Sequence, residues 1–112
     1  MTYLMDAQQR KATGSTLFFE FQKGSFQGKP WLADSVYLYA DIFDRLDMCH
    51  LFSSALPNFE YYYVTEVSPA QYVDLKEQAT ACGGEIAAIF EELDPWVAAC
   101  FRLESCFTIC GI

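Results

Sequence analysis

Tyr61-Tyr62-Tyr63-Val64-Thr65-Glu66-Val67-Ser68-Pro69-Ala70-Gln71-Tyr72 is the stretch whose reading decides the fold. All but one of its first seven residues are aromatic or β-branched. Apolar side chains fall on both faces of the alternation, as in a strand covered on two sides. The last five residues make a helix start. Ser68 is the N-cap, Pro69 takes the first helical position, and Gln71 is placed to reach back to the cap. Val67 and Tyr72 are spaced for a hydrophobic staple. A buried strand running directly into a capped helix predicts packed layers of sheet and helix.

Downstream, Tyr72, Leu75, Ala79 and Cys82 recur at helical spacing, and Gly83-Gly84 supplies a left-handed stop. Ile86, Ile89, Phe90 and Leu93 repeat the period. Asp94-Pro95 then reads as a new N-cap and first position, so 96–103 is expected as a separate or kinked helix. Residues 106–112 are short, β-branched and apolar on both sides, a final strand near the centre of a sheet. Upstream, 41–55 follows a helical period through Ile42, Phe43, Leu46 and Cys49, and Pro57 ends it. Residues 35–39 suit a short strand, and 23–30, with Gly24, Gly28 and Pro30, a loop. Residues 16–22 alternate as a half-buried strand, with Leu17, Phe19 and Phe21 inward, Thr16, Glu20 and Gln22 outward, and Phe18 as a misfit. Residues 1–14 show no sustained period and are expected to be irregular. The expectation is an α+β fold in a single domain over 1–112. It has a small, mostly antiparallel sheet of three to four strands packed with about four helices.

At 53% hydrophobic and 20% charged residues the chain is outside the composition of disorder. No unbroken apolar run approaches the roughly 20 residues of a membrane span. The polar start, with Asp6, Gln8, Gln9, Arg10 and Lys11, lacks the apolar stretch of a secretory signal, so a cytoplasmic location is expected. The five cysteines are an odd number and read mainly as small core residues rather than a disulfide framework. Charge is segregated: residues 1–30 carry a net +2 and the remainder −10, giving the overall −8. That balance disfavours nucleic acid and membrane surfaces and favours a basic protein partner.

Catalytic and metal chemistry find little purchase. His50 is the sole histidine, and Cys49 beside it points about 100° away on a helix. Any nucleophile–base pair would need Cys82, Cys100, Cys106 or Cys110 brought to His50 by the fold. Cys106 and Cys110, four residues apart on a strand, lie about 13 Å apart, too far for one metal ion. No phosphate-binding glycine loop, nucleophile elbow or metalloprotease helix is present. Neither a catalytic group, a metal nor a cofactor is therefore expected. The three tyrosines read as packing rather than as a binding platform. The acidic residues stand out as a surface. Asp41, Asp44 and Asp47 lie on one predicted helix, and Glu91, Glu92 and Asp94 crowd the end of another, where Glu91 and Glu92 oppose the helix dipole.

The stretch Tyr61–Lys76, the hexapeptide Glu91-Glu92-Leu93-Asp94-Pro95-Trp96 and the ending Cys106-Phe107-Thr108-Ile109-Cys110-Gly111-Ile112 together resemble small immunity proteins of bacterial contact-dependent and polymorphic toxin systems. The likeness covers about residues 60–112, with a weaker echo over 35–46 and none in the first 30. It implies a cytoplasmic antidote, not an enzyme, that binds one cognate toxin domain, often a basic nuclease, and occludes its active site. No family motif assigns contact residues. Exposure and clustering nominate Asp41, Asp44, Asp47, Glu91, Glu92 and Asp94 as partner-binding. Two alternatives stand beside this: a homo-oligomeric adaptor or subunit using the 17% aromatic content, and a small enzyme dependent on Cys and His50.

Overall fold

The structure, a computed structural model, describes all of residues 1–112. Ten elements follow in chain order: β1 (Leu4–Met5), α1 (Ala7–Thr13), β2 (Phe18–Lys23), β3 (Val36–Tyr39), α2 (Ala40–Arg45), α3 (Met48–Ala55), β4 (Val64–Val67), α4 (Pro69–Cys82), α5 (Gly84–Phe101) and β5 (Phe107–Cys110). The five strands form one antiparallel sheet in the order β1-β3-β2-β5-β4. The α+β reading holds, with one strand and one helix more than the upper expectation. Both additions come from the start of the chain. Asp6 makes a full capping box with Gln9, Gly14 closes α1 in the left-handed region, and Leu4 pairs with Leu38 across β1 and β3. Periodicity misses such elements because two residues and two turns are too short to show a period.

The register divides the sheet into two buried faces. Leu4, Phe19, Phe21, Val36, Leu38, Phe107, Ile109 and Val67 join the core beneath α2 to α5, with Phe43, Phe52, Leu75, Phe90 and Leu93. Phe19 stacks on Phe43 with ring centroids 4.0 Å apart. The opposite face carries Phe18, Glu20, Gln22, Tyr37, Thr108 and Cys110, all buried. Phe18 is therefore no misfit: it stacks on Tyr39 at 4.3 Å on this second face. Leu17, expected inside, precedes the strand and is 57% exposed. The second face is covered by the loop between β2 and β3. Gln22 Nε2 donates to the Lys29 carbonyl, Tyr37 OH to the Leu32 carbonyl, and Thr108 Oγ1 to the Gly24 carbonyl. Burial on both sides also explains why β5 reads as continuously apolar.

Three more expectations are corrected. The predicted helix over 41–55 is two, α2 and α3, broken at Leu46-Asp47. Asp47 adopts φ 51°, the left-handed region that aspartate tolerates better than most residues. The predicted break at Asp94-Pro95 does not occur, because α5 runs unbroken through Pro95. Pro95 lies on the exposed side, while Ile89, Phe90, Leu93, Val97 and Cys100 bury the opposite stripe. That packing holds the helix together across one missing N–H. Glu91, Glu92 and Asp94 are therefore mid-helix and meet no C-terminal dipole. The start of α4 is as read: Ser68 Oγ accepts the Gln71 N–H and Gln71 Oε1 accepts the Ser68 N–H.

Candidate functional site

The six carboxylates nominated from sequence separate into groups with different work. Asp41 and Asp47 are exposed, and neither side chain has a protein hydrogen-bond partner. Asp44, also exposed, accepts the Tyr61 hydroxyl at 2.7 Å. That bond to a carboxylate, with burial second, pushes the Tyr61 hydroxyl up to about 12. Glu91 is exposed and unpaired. Glu92 and Asp94 are half-buried and engaged within the chain. Glu92 accepts the backbone N–H groups of Thr2, Tyr3 and Leu4 and clamps β1 to the helical layer. Asp94 accepts the Tyr72 hydroxyl at 3.0 Å and pairs with Lys76 at 2.9 Å, and the Lys76 bond holds its carboxyl below the usual range against the opposing effect of burial.

Residues 40–101 hold eleven carboxylates and two basic side chains, Arg45 and Lys76, a net of −9. Both cations are engaged. Arg45 forks onto Glu85 at 2.9 and 3.3 Å, and Lys76 is held by Asp94. These pairs are about half exposed and contribute little to stability, but they leave this part of the molecule without a free cation. Asp41, Asp47, Glu60, Glu66, Asp74, Glu77 and Glu91 remain exposed.

Beside α2 stands a feature that sequence reasoning misplaced. The strand starts at Val64, not Tyr61, and the three tyrosines precede it. Tyr61 packs against Phe19 at 5.2 Å and Phe43 at 6.1 Å, whereas Tyr62 and Tyr63 are 79% and 68% exposed. The Tyr62 ring lies 4.7 Å from that of Tyr61, which itself holds Asp44. Exposed tyrosines thus adjoin exposed carboxylates. β4 lies at the edge of the sheet with Glu66 exposed and Val64 only partly buried, so the cover on two sides expected for 61–67 does not occur, and nothing local to the run showed which face would stay open.

A groove of about 460 Å³ opens between α3 and the α4–α5 junction, and Asp47, His50 and Cys82 line it. The fold therefore does bring His50 and Cys82 to one cleft. No hydrogen bond joins them, and Cys82 is the last residue of α4, at the negative end of its dipole rather than at the N-terminal end that favours a thiolate. Cys82 is exposed, against the expectation of a core residue, while Cys100, Cys106 and Cys110 are buried as expected. Burial, with the nearby Glu20 charge second, pushes the Cys110 thiol up to about 12. No three His, Cys, Asp or Glu side chains have the grouping of a metal site, and no helix is long and apolar enough to cross a membrane.

No family model, curated protein or solved structure matches this chain.

Proposed function

We propose that this chain is an immunity protein, a cytoplasmic, non-catalytic binder that neutralises one cognate basic toxin domain by covering its active site or substrate groove. The observation that carries the reading is the acidic stretch of residues 40–101, net −9 with both of its cations already paired. Exposed tyrosines stand beside it. Carboxylates placed where substrate phosphates would lie attract a basic groove and speed encounter, and tyrosines supply rigid contact area. The resemblance over residues 60–112 supports the same reading. Within the nominated set, Asp41, Asp44, Asp47 and Glu91 are contact residues, and Tyr62 and Tyr63 join them. Glu92 and Asp94 act in folding. The test is co-purification with the C-terminal domain of the protein encoded immediately upstream, followed by rescue of cells expressing that domain. Tight pairing with rescue is expected, and neither pairing nor rescue would discard the reading.

A second reading, a small thiol enzyme, is favoured by the cleft shared by His50 and Cys82. It requires Cys82 to react with iodoacetamide near neutral pH much faster than a free thiol, and an ordinary rate would eliminate it.

A further inference from the structure

On the loop-covered face of the sheet, away from α2 to α5, a cavity of about 310 Å³ lies between the Pro30-Trp31 segment and the C-terminal Gly111-Ile112. Its walls are Leu17, Phe18, Trp31 and Ile112, with Cys110 and Glu20 also lining it. Leu17 and Ile112 are 57% and 39% exposed, an apolar mouth without a partner in the chain. Glu20 is 1% exposed and projects from β2 onto this face, directly across from Cys110 on β5.

The Glu20 carboxylate is bound only by neutral donors. Oε1 accepts the Trp31 N–H at 2.8 Å. Oε2 accepts the Leu32 N–H at 2.8 Å and Ser35 Oγ at 2.7 Å, while the Tyr37 hydroxyl, 3.3 Å away, gives its proton to the Leu32 carbonyl at 2.6 Å. No ion pair reaches it, since the two in the molecule are Arg45–Glu85 and Lys76–Asp94. Arg10 spends its guanidinium over the rings of Trp31 and Tyr37, at 4.4 and 5.3 Å. A carboxylate oxygen offers about two acceptor sites, so Oε1 keeps one open. A buried anion without a counter-charge is costly, and a cation delivered through an apolar mouth would supply what is missing.

We propose that this cavity binds the end of an aliphatic chain carrying an ammonium or guanidinium group, the stem packing on Leu17, Trp31 and Ile112 and the head pairing with Glu20. Long basic side chains and alkyl amines share this chemistry, with an apolar stem and a charged tip. Trp31 is built for the position at a cost. It is a bulky residue at φ 68°, held there through its N–H to Glu20. The proposal does not rest on the toxin-binding reading: the α2–α3 acids lie on the other face of the sheet, although Gly111 and Ile112 adjoin the Tyr61–Tyr63 segment through backbone hydrogen bonds.

The test is an NMR titration of the intact chain with n-butylguanidinium, and with n-butylurea as a neutral probe of nearly the same shape. The cation should give saturable shifts at Leu17, Trp31 and Ile112, and butylurea should bind at least about tenfold more weakly, 1.4 kcal/mol. Equal affinities, or no saturable shift at those residues, would overturn the proposal. Leu17→Lys, at an exposed position, places an ammonium at the mouth and should abolish the titration with an unchanged circular dichroism spectrum. Wild-type binding by that variant would put the ligand elsewhere and refute the site. Glu20→Gln, if it folds, should reduce the cation to the affinity of butylurea; if it does not fold, the ratio of probes and Leu17→Lys decide. N-acetyl-arginine amide distinguishes the sources. Tighter binding than butylguanidinium assigns the site to a protein side chain, weaker binding to a free alkyl cation, and either supports a cation site.

Discussion

Replacing Glu92 by Ala removes one acceptor from three backbone donors. Oε1 takes the N–H groups of Tyr3 and Leu4 at 3.0 Å each, and Oε2 takes that of Thr2 at 3.0 Å. β1 is otherwise held by two residues of pairing with β3, so Glu92 is its second attachment. Hydrogen bonds to a charged group contribute roughly 1.5–3 kcal/mol when buried. This site is partly exposed, and solvent screening reduces each to about 0.5–1 kcal/mol, or about 1.5–3 kcal/mol for the three. Should β1 detach, burial of Leu4, 2% exposed, is lost as well, adding about 1.5–3 kcal/mol. The sign with pH follows from the carboxyl. Burial raises its pKa, but the N–H groups of Leu4, Tyr3 and Thr2 outweigh that and hold it below its ordinary 4.5. Its contribution is thus fully present above the unfolded value and is lost as pH falls through the folded one. Urea unfolding of both proteins should give a difference of about 1.5–3 kcal/mol at pH 7 that shrinks as the pH falls below the ordinary carboxylate range. Hydrogen exchange at Tyr3 and Leu4 should quicken in the variant. A loss below about 0.5 kcal/mol at pH 7, the size of an ordinary surface substitution, or a loss that stays the same as the pH falls, would refute the clamp.

Three further outcomes can be checked on the same chain. Gly111→Ala would place a Cβ 2.0 Å from the Tyr61 carbonyl oxygen and 2.9 Å from that of Tyr63, breaking the bonds that Gly111 and Ile112 N–H make to them. A loss of about 2–4 kcal/mol in urea unfolding is expected, and a loss under about 1 kcal/mol would mean the segment shifts freely. Pro95→Ala should stabilise by about 1–2 kcal/mol, because proline costs about 3 kcal/mol against alanine inside a helix and returns about 1 through the unfolded chain; a destabilised variant would show that Pro95 contributes packing. Asp41→Lys with Asp47→Lys should slow association with the basic partner domain about three- to tenfold in stopped flow and flatten its salt dependence, while an unchanged rate would remove both residues from the interface.

Legibility followed length and locality. The capped start of α4 was readable because its cap, proline and staple sit within six residues and need no tertiary information. The two faces of the sheet were only half readable. Alternation found Phe19 and Phe21, but Glu20 and Gln22 looked solvent-facing because polar residues usually are. Here the loop over residues 24–35 covers them and donates hydrogen bonds to Glu20 while Gln22 donates back to Lys29. Pro95 misled for a related reason: local chemistry favours a helix boundary there, and the buried stripe from Ile89 to Cys100 overrides it. Of the candidate site, sequence found the exposed acids of α2 and α3 by helical period. It could not separate Glu91 from Glu92, adjacent and chemically identical, because only the docking of β1 engages one of them within the chain.

The division of labour among surface groups leads to a sharper expectation for binding. Outside residues 40–101 the chain sums to +1, and Lys11, Lys23, Lys29 and Arg102 have no acidic partner. Charge is therefore divided unevenly along the chain, and the proposed basic partner is drawn to the exposed acids of residues 40–101. Long-range charge acts on encounter, whereas short-range aromatic contact acts after encounter. If Tyr62 and Tyr63 are anchors, Tyr62→Ala with Tyr63→Ala should leave the association rate within about twofold and speed dissociation by at least about tenfold, the mirror image of the charge reversal. Both side chains are mostly exposed, so the fold should lose no more than about 0.5 kcal/mol and the comparison stays interpretable. Surface plasmon resonance reads both rates in one experiment. Dissociation unchanged beside a tenfold slower association would mean that the tyrosines steer rather than anchor. Both rates unchanged would place the partner on another part of the acidic stretch, toward Asp74, Glu77 and Glu91.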